Sequence, residues 1–275
     1  LFTNIYEKNG VEFTYVGTSD LDAVQAAFKP NTKAVYIETP TNPMMEITDV
    51  RALSKMAHDR NALVIVDNTF LSPYFQKPLH LGADIVVHSG TKFIGGHHDV
   101  ISGFTIVKDD ELAAQLRLIY KTVGACLSAF DSWLVIRGIK TLALRMEQHQ
   151  KNAIALAEWL KQEPKVTKVL FPGLPDHPGY EVNKSQTTGF GGMLSFEVDS
   201  EETAKQVLEG IQLIQFAESL GGTESLLTYP VTQTHPDLKP EDAERKGITR
   251  RLLRLSVGIE DTDDLIADLA QAFNK

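Results

Sequence analysis

The stretch Asp84–Val100, DIVVHSGTKFIGGHHDV, governs the fold assignment. It opens as a short apolar run rich in β-branched residues, the composition of a buried strand. It closes in a loop holding Gly90, Gly95, Gly96, His97, His98 and Lys92, the lysine flanked by Ser89 and Thr91. A lysine at the mouth of a buried strand has three uses: a phosphate clamp, a covalent nucleophile, or a solvated charge. Its surroundings in the chain bear on which.

Upstream, strand-like and helix-like segments alternate. VEFTYV (11–16), AVYIETP, ALVIVDNTF and ADIVVHSGTK read as strands, and GFTIVKD as a further short one. Between them lie a helix over 20–28 with Asp20 as its N-cap, and a helix in ITDVRALSKMAHDRN capped by Thr48 or Asp49. Continuous apolar strands separated by helices predict an α/β fold with a mostly parallel sheet covered on both faces. A long helical stretch begins near Ser132, with a break expected at Gly138. After FPGLPDHPGY, the strands MLSFEV and LLRLSVGI and the helices EETAKQVLEGI and DTDDLIADLAQAFNK suggest a smaller α+β domain with an antiparallel sheet. The expected division is 1–140, part of a large domain, and 141–275, a small C-terminal domain.

The bulk numbers fit a globular enzyme or binding protein. Of 275 residues, 43% are hydrophobic and 23% charged. A net charge of −9 argues against nucleic acid or an anionic membrane as the main partner. No apolar run reaches the length of a bilayer span, and the single cysteine, Cys126, permits no internal disulfide, so a reducing, cytoplasmic setting is expected. The first residue is Leu1, in the helix-like LFTNIYEKNG, so the expectation is the back part of a longer polypeptide. Neither a G-x-x-x-x-G-K-[ST] nor a G-x-G-x-x-G pattern occurs.

In open parallel α/β sheets, ligands gather at the carboxyl ends of the strands. ALVIV delivers Asp67 there and DIVVHSGT delivers Lys92, 25 residues later. An acid at a buried strand end needs a positive partner, and Lys92 itself would serve as a structural salt bridge. The other reading is chemical. Pyridoxal phosphate needs a lysine for its Schiff base, an acid for its pyridinium nitrogen, and hydroxyls or backbone amides for its phosphate. Asp67, Lys92, Ser89 and Thr91 supply all but the amides, while Ser89 and Thr91 also fit as ordinary turn hydroxyls.

ETPTNP (38–43), VDNTF (66–70), HSGTKFIGGHHD (88–99), AESLGGTESLLTYP (217–230) and LLRLSVGIED (252–261) together resemble the Cys/Met-metabolism family of pyridoxal-phosphate enzymes. The resemblance runs the length of the chain, in order and at family spacing. It implies the aspartate-aminotransferase fold type (fold type I) and pyridoxal 5'-phosphate as cofactor. By resemblance, Lys92 is the Schiff-base lysine and proton shuttle, and Asp67 the pyridinium partner. Ser89 and Thr91 are phosphate ligands, and Asn42 lies near the cofactor's phenolic oxygen. Arg254 and Ser219 hold the substrate carboxylate. An acid such as Glu218 just before S-L-G-G resembles enzymes handling cystathionine, where it attracts the distal ammonium; the alternative is a solvated loop glutamate.

The resemblance implies a C–S lyase cleaving cystathionine by β- or γ-elimination, with cystathionine γ-synthase as the runner-up. A non-catalytic scaffold relative of the fold is the alternative from another class. His97, His98 and Asp99 invite a metal site, but the family carries G-H-x-D here without metal. His235 is expected near the substrate entrance. The phosphate's backbone amides, a ring-stacking aromatic, and a tyrosine and arginine from a neighbouring subunit are expected upstream of Leu1. A dimer or tetramer with a subunit-shared site is therefore implied.

Overall fold

A computed structural model describes residues 2–234 and 240–275. The first half runs α1 (Leu21–Ala27), β1 (Ala34–Glu38), α2 (Val50–His58), β2 (Leu63–Asp67), α3 (Ser72–Phe75), β3 (Ile85–Ser89), β4 (Gly103–Val107), α4 (Asp110–Val123) and α5 (Ala129–Ile139). The second runs α6 (Leu142–Leu160), β5 (Val166–Leu170), α7 (Tyr180–Gln186), β6 (Met193–Val198), α8 (Glu201–Gly210), β7 (Gln215–Phe216), β8 (Leu226–Thr228), α9 (Pro240–Arg245), β9 (Leu252–Ser256) and α10 (Thr262–Phe273). Among the described residues, no helix is long and apolar enough to cross a membrane.

Two sheets organise these elements. The first has the order β1-β2-β3-β4. Its first three strands are parallel, and β4 returns antiparallel to β3. Ile37, Val66 and Val86 share one face in register and pack under α1 and α2 through Val24, Val50, Leu53 and Ala57. Asp20 caps α1 by accepting from the Asp22 and Ala23 N–H groups, and Asp49 caps α2 through Ala52 N–H. The opposite face is more open than a doubly covered sheet: Tyr36 and Leu63 keep 45% and 39% of their surface. Glu38, Asp67 and Ser89 sit at the carboxyl ends of this open face.

The second sheet has the order β5-β6-β9-β8-β7 and is antiparallel except for the β7–β8 pair. Its core sets Leu156, Ala157 and Leu160 of α6 and Leu265 and Leu269 of α10 against Phe196, Leu253 and Leu255. Another cluster joins the halves: Phe70, Phe75 and Phe93 pack with Met146, Met193, Leu220 and Leu252. That shared core is what holds β9 against the Lys92 loop.

Two local expectations differ from the structure. Residues 11–16 form no strand. A strand needs a ladder partner, and this segment pairs with none among the described residues; Phe13 stacks on Phe2 at 4.9 Å instead. The helix break comes at Lys140–Thr141 rather than Gly138, which remains helical. Gly138 is pressed so closely on the Gly95 carbonyl that a Cβ would not fit. Its smallness serves a contact, not a kink.

Candidate active site

The strand ends bring four functional groups to one edge. Asp67 pairs with Val87 across β2–β3 and with Glu38 across β1–β2, so the Asp67 and Glu38 side chains share a face. Asp67 Oδ1 accepts the Thr69 hydroxyl at 2.6 Å and the Thr69 N–H at 3.0 Å; its Oδ2 accepts from the Tyr36 hydroxyl at 3.3 Å. Thr69 Oγ1 also takes the Ser89 N–H at 2.9 Å. One threonine thereby fastens the end of β3 to the acid at the end of β2.

Beyond Ser89 the chain turns tightly. Lys92 N–H returns to Ser89 O at 3.2 Å, and Gly96 N–H to Lys92 O at 2.7 Å. Thr91 Oγ1 donates to Ser102 O at 3.3 Å and accepts from Ser102 N–H at 3.0 Å. The Ser89 hydroxyl has no hydrogen-bond partner among the described residues. The loop is braced from behind by Arg145 of α6, which is almost fully buried. Its guanidinium donates to Phe93 O at 2.6 Å, Gly138 O at 2.9 Å and Ile94 O at 3.5 Å, while Nε reaches Thr141 Oγ1 at 3.0 Å. Gly96, at φ +73°, has its open side filled by that guanidinium.

Lys92 and Asp67 are not ion-paired. Lys92 Nζ donates to Ser219 Oγ at 2.9 Å. Burial, and then the Arg254 charge, hold the Lys92 pKa below its ordinary value, with Glu218 opposing. Ser219 adopts φ +80°, the left-handed region that a serine rarely enters. This turns its carbonyl toward Arg254 Nη2, at 2.9 Å, while its hydroxyl meets Lys92.

Arg254 lies mid-strand in β9, in register with Ser195 and Thr228, and is 1% exposed. Its Nη1 donates to Asn42 Oδ1 at 2.9 Å and its Nη2 to Thr228 Oγ1 at 3.0 Å, while Nε has no partner. Burial lowers its pKa to about 10, against Glu218 and Glu38, so it stays charged at neutral pH. Glu38 moves the other way: burial, then the Asp67 carboxylate, raise it to about 7, opposed by the Asn42 N–H and Arg254. Glu218 and Ser219 border a cavity of about 520 Å³ together with Thr91, His98, Asp99 and Ile101.

The donor set fits pyridoxal phosphate. A lysine amine with a lowered pKa follows, three residues on, the strand end that carries an unengaged serine hydroxyl, and a carboxylate ends the neighbouring strand. Arg254, bonded to the Ser219 carbonyl, keeps its buried Nε without a partner. Asn42, Ser219, Arg254, Lys92 and Glu218 form one connected group, and Asp67, Ser89 and Thr91 lie at its strand-end side. His235 lies outside the described residues. Glu38, Thr69, Thr228 and Arg145 were not singled out from the sequence. Glu38 and Thr69 stand inside the motifs ETPTNP and VDNTF, which would have flagged them. Arg145 leaves no such mark, because a lone arginine in a helix reads as a solvated charge.

The Cys/Met metabolism PLP-dependent enzyme family matches residues 1–274. Cystathionine beta-lyase MetC of Bacillus subtilis (strain 168) is 47% identical over 275 residues, covering 100% of this chain and 70% of the relative. Cystathionine gamma-synthase of Haemophilus influenzae is 52% identical over 265 residues, covering 96% of this chain and 68% of the relative. The crystal structure of cystathionine gamma-lyase from Lactobacillus plantarum complexed with L-serine superposes with a TM-score of 0.97 at 45% identity, over 99% of this chain and 72% of that one. With the fold, the donor set and these matches in agreement, the chain belongs to the Cys/Met metabolism family of pyridoxal-phosphate-dependent enzymes.

Proposed function

We propose that the protein is a C–S lyase of transsulfuration that cleaves cystathionine by β- or γ-elimination. The observation that carries this reading is the link from Lys92 Nζ through Ser219 to Arg254. It sets a proton acceptor and a carboxylate clamp on the same serine. Pyridoxal phosphate, when bound, supplies an electron sink for the charge left on the substrate Cα.

The chain's own residues do the rest. Ser89 and Thr91 would hold the phosphate, and the Asp67 carboxylate would hold a proton on the pyridine nitrogen. Asn42 would lie near the phenolic oxygen. Arg254 and Ser219 bind the substrate carboxylate, a planar fork meeting a planar acid. Lys92 Nζ, whose pKa burial holds below its ordinary value, accepts the Cα proton. For β-elimination the Cβ–S bond then breaks and the leaving sulfur takes up a proton; for γ-elimination Lys92 would first hand on the Cα proton, then as a free amine take a second proton from Cβ, after which the Cγ–S bond breaks. Glu218, bordering the same cavity, attracts the distal ammonium of cystathionine. An acid at that wall disfavours a purely apolar side chain such as that of methionine.

The division into domains 1–140 and 141–275, self-association with a subunit-shared site, and a cytoplasmic setting belong to the same proposal. The relatives' names also support cystathionine gamma-synthase as the second reading, with cysteine replacing the leaving group of an activated homoserine ester. Incubation with cystathionine and identification of the keto acid decides among them. Pyruvate means β-cleavage and 2-oxobutyrate means γ-cleavage. Consumption of the homoserine ester with cysteine, and no keto acid from cystathionine, supports the synthase. If neither substrate is consumed by the cofactor-loaded protein, the proposal fails.

A further inference from the structure

Glu38 is a half-buried acid that the proposed reaction does not use. It ends β1 in register with Asp67, so two carboxylates lie side by side at neighbouring strand ends. Like charges placed this way repel. No lysine or arginine among the described residues reaches ion-pairing distance of Glu38. Its Oε1 instead accepts the backbone N–H of Asn42 at 3.0 Å, and Asn42 Oδ1 in turn accepts Arg254 Nη1 at 2.9 Å. A glutamine would take the same N–H without an ionisable group. The carboxyl therefore adds a variable charge one residue behind the clamp.

We propose that Glu38 is a positioning residue for the substrate carboxylate: it holds Asn42 so that the amide oxygen seats Arg254, and its charge sets how strongly Arg254 attracts an anion. This rests on Arg254 being the carboxylate clamp. The groups facing Glu38 are Tyr36 on its own strand, Asp67 on β2 and Arg254 on β9, together with the Asn42 N–H. Ionised Glu38 is a second anion behind the guanidinium and opposes an incoming carboxylate. Neutral Glu38 leaves that guanidinium uncompensated. Because Glu38 is raised to about 7, anion affinity falls as pH rises through neutrality.

Propionate tests this in the cofactor-loaded enzyme, because it has a carboxylate but no amino group to react. Its affinity is measured by calorimetry at about pH 6 and about pH 8 for the wild type, Glu38→Gln, Glu38→Ala and Arg254→Lys. The wild type is expected to bind several-fold tighter at the lower pH. Glu38→Gln keeps the acceptor for Asn42 and loses the titration, so its affinity stays level across the two. Glu38→Ala is expected to bind about tenfold more weakly at both, with KM for the amino-acid substrate up about tenfold and kcat within about twofold. The proposal is overturned if Glu38→Gln keeps the wild-type pH dependence, or if Glu38→Ala binds as the wild type does. Should Glu38→Ala fail to fold, the Glu38→Gln series alone decides. If Arg254→Lys binds propionate like the wild type, the clamp assignment itself is wrong. If Arg254→Lys weakens binding and the Glu38 variants do not, only the Glu38 proposal falls.

Discussion

Thr69 Oγ1 donates to Asp67 Oδ1 at 2.6 Å and accepts the Ser89 N–H at 2.9 Å. A hydroxyl is suited to this place because it donates and accepts at once. Thr69→Ala removes both bonds and leaves a half-buried N–H at the end of β3 without its partner. The expected loss is about 1–3 kcal/mol of stability, read as a lower urea midpoint, together with weaker cofactor retention measured by absorbance titration. Thr69→Ser keeps the hydroxyl and should recover most of both. Equal behaviour of the two variants would mean that the bridge does not set the strand ends. Ser219 illustrates the opposite limit. Its left-handed backbone turns carbonyl and hydroxyl to two different partners, a feature that residue type alone does not announce.

At the scale of elements, the Lys92 loop is held by a helix from the other half of the chain. Arg145 of α6 supplies the donors for the carbonyls of Phe93, Ile94 and Gly138, with no carboxylate partner among the described residues. Arg145→Leu takes the arginine donor from the Phe93 and Ile94 carbonyls, at about 1–3 kcal/mol for an unmet buried polar group, while Gly138 O keeps the Thr141 N–H and hydroxyl. Relief from burying a charge partly offsets this. The net effect should be destabilising, with faster amide hydrogen exchange at Gly95 and Gly96. A neutral or stabilising result would show that the arginine fork does not hold the loop. Helix caps and buried strands were legible in the sequence, since Asp20, Asp49 and the apolar runs act through local chemistry. The strand expected at 11–16 was not, because β-structure exists only against a partner. Nor was the true reason for Gly138, which depends on the approach of Gly95 from a distant loop.

For the whole molecule, the buried His149 couples the stability of the fold to acid. His149 packs edge-on against Phe93 at 5.2 Å and its Nδ1 meets Val257 O at 2.7 Å, joining the Lys92 loop to the end of β9. Burial, the largest cause, lowers its pKa from 6.5 to about 4; burial also lowers those of His88 and His177. A folded pKa below the unfolded one means stability that is present above 6.5 and lost as pH falls toward 4. Glu38 works in reverse: raised from 4.5 to about 7, it contributes most below 4.5 and loses that contribution as pH rises through 7. His149→Gln should therefore flatten the fall in urea stability between neutral and mildly acidic pH, whereas Glu38→Gln should steepen it. An unchanged slope in His149→Gln would assign acid sensitivity elsewhere. The sequence by itself determined the α/β class, the cofactor family and the placing of Asp67 and Ser89 at neighbouring strand ends. Those follow from short-range pattern, from strand periodicity, and from motifs whose order survives without coordinates. Only the tertiary structure decided that Lys92 bonds Ser219 rather than Asp67, that Asn42 meets Arg254, and that Arg145 braces the Lys92 loop. These contacts join residues 52 to 212 positions apart, and burial and charge at such a meeting point exist only once both segments are in place.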